Sequence, residues 1–97
     1  MNKVAIVTGS AQGIGKAAAR RLAKNGMDVV VADLNYEKAN ETAREIREEF
    51  KVKALAIKVD IADEESVKAM ISEVVENFST VDVLVNNAWM CSCFAPK

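Results

Sequence analysis

The sequence predicts an α/β fold, a parallel and doubly wound sheet, and three observations predict it. Short apolar runs alternate with longer segments of helical period, in the order β-α-β-α-β-α-β. The apolar runs carry β-branched residues without polar alternation, as strands covered on both faces do. The first of them ends in a glycine-rich turn that opens directly into a helical segment. Right-handed crossovers then give the strand order 3-2-1-4, with the fourth strand lying past the point where the winding reverses.

The first strand runs from Lys3 to Thr8. Beyond the glycines, Ile14, Ala18 and Leu22 recur at helical spacing, with Ala17 filling the same stripe and Lys16, Arg20, Arg21 and Lys24 elsewhere. Asn25 and Gly26 stop this helix, with Gly26 as a left-handed cap. The second strand is Val29 to Asp33. Ala39, Ala43, Ile46 and Phe50 then mark one face of a second helix, whose charges, among them Glu41, Arg44 and Glu48, read as a solvated surface. The third strand is Lys53 to Val59. Asp63 is placed to cap the third helix, Glu64 and Glu65 suit its positive end, and Val67, Met70, Ile71, Val74, Val75 and Phe78 form its apolar face. Val81 to Val85 is the fourth strand, ended by Asn86 and Asn87. The first two helices are expected on one face of the sheet and the third on the other. The fourth strand is expected to be an open, apolar edge with Asp82 as its one charge, which favours self-association.

Composition narrows the function. The chain has 97 residues, room for one small domain. Its net charge of −1, with both signs interspersed, offers no nucleic-acid surface and no polybasic patch for a membrane. It has no histidine, which excludes a Ser-His-Asp triad, a Cys-His pair and a His-ligated zinc. Cys91 and Cys93 alone cannot complete a tetrahedral site in one chain, so no metal is expected. No stretch approaches the ~20 apolar residues of a membrane span, and the apolar run after Lys3 is too short for a signal peptide. The expected location is cytoplasmic.

The chemistry gathers at the first turn. Gly9 lets the chain turn sharply at the strand end, Gly13 lets the backbone approach a pyrophosphate, and Gly15 lets the helix pack closely on the strand. The helix N-terminus offers unpaired N–H groups and partial positive charge to phosphates. Ser10, Gln12 and Ile14 share that turn and are candidate contacts to the same dinucleotide. Asp33 ends the second strand, where a carboxylate accepts both hydroxyls of an adenosine ribose and repels a 2′-phosphate. Neither Ser10, Ala11 and Gln12 nor Leu34 and Asn35 supply a cation for that phosphate. The cofactor expected is NAD, preferred over NADP, with Leu34 counted among its contacts.

Thr8, Gly9, Gly13 and Gly15, then Asp60 after the third strand, then Asn86, Asn87 and Ala88 after the fourth, resemble the short-chain dehydrogenase/reductase family over positions 2–88. The three-residue gap between the first two glycines favours that family over the older dehydrogenase pattern. The start of the chain is similar to acetoin, hydroxyacyl-thioester and ketoacyl reductases. The resemblance implies a Rossmann-type sheet, here partial and truncated after the fourth strand, and hydride transfer between NAD(H) and a small alcohol or ketone. It implies that Asp60 contacts the adenine amino group, that Ile61 touches the adenine, and that Asn86 and Ala88 line the cofactor near its ribose. It also implies a catalytic tyrosine, with a lysine four residues later, assisted by a serine and an asparagine. The single tyrosine here, Tyr36, is followed four residues later by Asn40 and opens the second helix, so no catalytic residue is expected and the chain alone is expected to be inactive. Trp89 stands where the family has glycine, and Met90 to Lys97 show no helical period. The expected organisation is an incomplete NAD(P)-binding domain over 1–88 and an irregular tail over 89–97, as a premature end would leave. A non-catalytic nucleotide-binding module and an interaction fragment pairing through its sheet edge are the alternatives.

Overall fold

In the computed structural model, which describes residues 3–78 and 80–86, each apolar run has become a parallel strand. The elements are β1 (Val4–Thr8), α1 (Gly13–Lys24), β2 (Asp28–Asp33), α2 (Tyr36–Phe50), β3 (Ala54–Lys58), α3 (Glu64–Phe78) and β4 (Val83–Asn86). The sheet order is β3-β2-β1-β4, as the alternation predicts. Ile6 sits opposite Val30 on one side and Leu84 on the other, and Val30 opposite Leu55.

Alternate residues of each strand point to opposite faces, and each face has its own core. Val7, Val29, Val31, Ala54 and Ala56 pack with Ala19, Ala23, Ala39, Ala43 and Ile46, which places α1 and α2 on one face. Val4, Ile6, Val30, Ala32 and Ile57 pack with Met70 and Val74, which places α3 on the other. Full burial of each Val or Ile contributes about 1.5–3 kcal/mol, so the central strands dominate the stability.

Three details differ from the sequence reading. The stripe that α1 buries is Gly15, Ala19 and Ala23, with Ala18 and Leu22 flanking it, while Ala17 and Ile14 face outward. Small side chains at i, i+4 and i+8 let this helix lie close on the sheet. Two acidic residues of α2 reach across to α1, while Glu41, Arg44 and Glu48 are exposed as expected: Lys16 Nζ lies 3.0 Å from Glu45 Oε1, Arg20 Nη2 lies 2.7 Å from Glu49 Oε1, and the Arg20 guanidinium stacks over Phe50. Asp82 bonds instead to the start of β1, its carboxylate accepting from the Val4 N–H at 2.9 Å while its own N–H donates to the Val4 carbonyl. The strand it precedes begins at Val83, two residues later than expected, although Val81 still packs on the α3 core.

Gly26 takes the left-handed conformation (φ 92°) just beyond α1, as predicted. The same role after α2 falls to Lys51 (φ 59°), a residue type that gives no such signal in a sequence.

Candidate nucleotide-binding site

Four chain segments leave the sheet at its carboxyl end, and the predicted residues stand on them. Gly9 follows β1, Asp33 ends β2, Asp60 lies just past β3, and Asn86 ends β4 in register with Thr8. In an open parallel sheet wound in both directions, ligands bind in the crevice outside these ends.

The turn from Gly9 to Gly13 is held at both ends by positive φ, 64° at Gly9 and 67° at Gly13. Between them, the Ser10 N–H donates to the Ala32 carbonyl at 3.3 Å and the Ala11 N–H to Asp33 Oδ2 at 3.1 Å. The other carboxylate oxygen of Asp33 accepts from the Asn35 N–H, also at 3.1 Å. The carboxylate is thus fixed beside the glycine turn, half-buried, with lone pairs still available to a ligand's hydroxyls.

The start of α1 differs from the starts of the other two helices. Asn35 caps α2, its side chain accepting from the Lys38 N–H, and Glu37 stands in the first turn. Asp63 caps α3, accepting from the Glu65 N–H, with Glu64 and Glu65 in the first turn. At α1 the N-cap residue Gln12 makes no side-chain capping bond and the first turn holds no acidic residue. The first-turn N–H groups and the positive end of the dipole thus have no acidic side chain of their own turn and no side-chain cap. A Cβ built on Gly13 would meet nothing within 4 Å, so the space over this end is open. An open, uncapped, cation-like helix end beside a fixed carboxylate suits a molecule carrying phosphates and a ribose, and a dinucleotide carries both.

The other predicted residues fall into distinct places. Gln12 and Ile14 are exposed at the turn, Ile14 by 80%, and Leu34 is 58% exposed next to Asp33. Gly15 is buried in the face of α1. Ser10 is fully buried and its hydroxyl donates to the Val7 carbonyl at 2.6 Å, so its side chain braces the turn from inside. Asp60 is exposed; one of its carboxylate oxygens accepts from the Ala62 N–H, and its own N–H donates to Ser66 Oγ. Ile61 is half-buried against the α3 core. Asn87, Ala88 and the tail from Trp89 onward lie outside the described residues. Tyr36 begins α2, 47% exposed, beyond Asp33 and Leu34. Among the described residues, no group of three or more His, Cys, Asp or Glu could hold a metal ion, and no helix is long and apolar enough to cross a membrane.

One contributor escaped the sequence reading. Thr42 of α2 is buried, and its hydroxyl donates to the Ala11 carbonyl at 2.8 Å. The available signal was a hydroxyl set in the apolar stripe of Ala39, Ala43 and Ile46.

Comparison with known proteins agrees with this geometry. The chain is 48% identical over 90 residues to an uncharacterised oxidoreductase of Thermotoga maritima, covering 93% of this chain and 35% of that protein. It is 47% identical over 91 residues to the 3-oxoacyl-[acyl-carrier-protein] reductase FabG of Staphylococcus aureus, covering 91% of this chain and 36% of the reductase. Its fold matches L-sorbose reductase from Gluconobacter frateurii, solved with NADPH and L-sorbose, at a TM-score of 0.89 and 41% identity, over 94% of this chain and 35% of that one. It also matches acetoin dehydrogenase YohF from Salmonella typhimurium at a TM-score of 0.83 and 42% identity, over 95% and 38% of the two chains. The chain therefore spans little more than a third of the length of these relatives. The family model for short chain dehydrogenases matches residues 3–96, and the chain belongs to that family.

Proposed function

We propose that this chain is the dinucleotide-binding portion of an oxidoreductase that moves hydride between NAD(H) and a small alcohol or ketone. The observation that carries the proposal is the uncapped start of α1 beside the Asp33 carboxylate. The pyrophosphate would lie over Gly13 against the N–H groups of α1, and Asp33 would accept from the adenosine ribose hydroxyls. Leu34, Ile14 and Ile61 would supply apolar surface, with Asp60 at the adenine end and Asn86 and Ala88 toward the nicotinamide ribose. The bound cofactor supplies the hydride chemistry; these residues bind and orient it.

NAD is preferred over NADP in this reading. Asp33 would face a 2′-phosphate as a like charge, and the first cation of α1, Lys16, is paired with Glu45. L-sorbose reductase was solved with NADPH, so the preference for NAD proposed for this chain rests on its own residues. The 97 residues hold one tyrosine, without a lysine four positions on, so they are proposed to bind the cofactor and not to transfer hydride unaided.

A property of the isolated chain accompanies this reading. Leu84 is 53% exposed, and by register it shares the α3 face with Ile6; Ile71 and Val75 of α3 are exposed as well. These side chains favour self-association of the isolated chain. Calorimetric titration with ADP-ribose tests the binding reading: micromolar to millimolar saturable binding is expected, and no heat of binding to a folded sample rejects it.

A further inference from the structure

We infer that Thr42 is a positioning residue for the nucleotide turn, holding Ala11 so that the Asp33 carboxylate faces the ribose. The inference rests on the nucleotide reading above. The turn lies between two residues of positive φ, Gly9 and Gly13, and glycine gives its backbone freedom at both ends. Ala11, in the middle, is bonded on both sides. Its N–H donates to Asp33 Oδ2, and its carbonyl accepts from Thr42 Oγ1 at 2.8 Å. These two bonds fix the peptide planes before and after the Ala11 Cα.

The bonds form part of a closed circuit. Asp33 also accepts from the Asn35 N–H, Asn35 caps α2, and α2 carries Thr42 back to Ala11. Ala11 and Thr42 are 4% and 2% exposed, so water cannot easily stand in for either partner. A threonine inside a helix commonly turns its hydroxyl back to its own helix. This one spends its donor on a loop 31 residues earlier in the chain. A residue needed only to fill the α2 face could be valine, which has the same shape. The hydroxyl is therefore directed at the turn, and its effect reaches the ligand through Ala11 and Asp33.

The test compares the wild type with Thr42→Val, Thr42→Ala and Thr42→Ser, using ADP-ribose and 2′-phospho-ADP-ribose as probes and a thermal melt of each protein. In folded variants without the hydroxyl, ADP-ribose affinity should fall about tenfold, because the loosened turn must be ordered again when the ligand binds. The preference for ADP-ribose over its 2′-phosphate should shrink as well, because Asp33 loses its fixed direction. Thr42→Ser should restore both. A purely structural role would lower the melting temperature and leave the preference untouched. Wild-type affinity and preference in a folded Thr42→Val or Thr42→Ala protein overturns the inference. So does failure of both to fold, which would make the hydroxyl a determinant of folding alone. Failure of the wild type to bind either probe strikes the nucleotide reading itself, a different outcome from a wild type that binds and variants that bind equally well.

Discussion

Asp33→Asn removes one charge while keeping the side chain's shape, and its consequences can be worked from the structure. Asp33 accepts from two N–H groups, those of Ala11 and Asn35, one through each oxygen. The amide of asparagine can accept from only one of them and sets its NH₂ group against the other. Losing one such bond at a half-buried site costs about 1 kcal/mol of stability, so the variant should still fold. The larger effect is on the ligand. A carboxylate and a phosphate charge about 5 Å apart repel by about 2–3 kcal/mol at an effective dielectric constant of 20–40. That is roughly a 30- to 150-fold preference for ADP-ribose over its 2′-phosphate in the wild type. In the variant the ratio should fall close to one, through weaker binding of ADP-ribose and tighter binding of the 2′-phosphate. Calorimetric titration of both proteins with both ligands measures the ratio. Equal affinities in the wild type, or an unchanged ratio in Asp33→Asn, would refute the role given to this carboxylate.

Other perturbations read other parts of the account. Gly13→Ala places an L-residue at φ 67°, which costs roughly 1–2 kcal/mol, yet its methyl meets no protein atom. The variant should therefore melt slightly lower and lose ADP-ribose binding by more than tenfold, and a fully retained affinity would mean that the phosphates lie elsewhere. The purified 97-residue chain should show no NADH turnover with a panel of ketones and alcohols; turnover abolished by Tyr36→Phe would assign Tyr36 a catalytic part. In sedimentation, the isolated chain should associate in a concentration-dependent way and Leu84→Lys should reduce that association, whereas a monodisperse wild-type monomer would show the α3 face and β4 edge to be stable in water.

The sheet was legible because its strands are buried on both faces and so read as unbroken apolar runs. Val29, Val30, Val31 and Ala32 are all fully buried, with no polar residue to obscure them. Strand ends were less legible, because pairing reaches beyond the apolar run. Asp28 belongs to β2 through its register with Val4, and its carboxylate accepts from the Lys53 N–H. The face of α1 was misread for a physical reason. Hydropathy gives most weight to Ile14, but the sheet selects the small residues Gly15, Ala19 and Ala23, and leaves Ile14 at the open crevice.

At the site, the glycines and Asp33 announced themselves by type and spacing. Their partners did not, since Thr42 acts on a residue 31 positions away and Asp82 on one 78 positions away. Unpaired N–H groups at the start of α1 were expected from the glycine turn, and the contrast with the side-chain caps Asn35 at α2 and Asp63 at α3 is what the structure adds.

The central claim is that a dinucleotide lies across the carboxyl ends of β1, β2 and β3, over the start of α1. Amide chemical shifts of the isotopically labelled chain, followed during titration with ADP-ribose, test it most directly. The account predicts saturable shifts confined to Gly9 through Gly15, to Asp33 and Leu34, to Asp60 and Ile61, and to the end of β4 at Asn86, with the outer faces of α2 and α3 unmoved. Shifts centred on α3 and β4, or saturable binding that leaves the Gly9 to Gly15 turn unmoved, would contradict it.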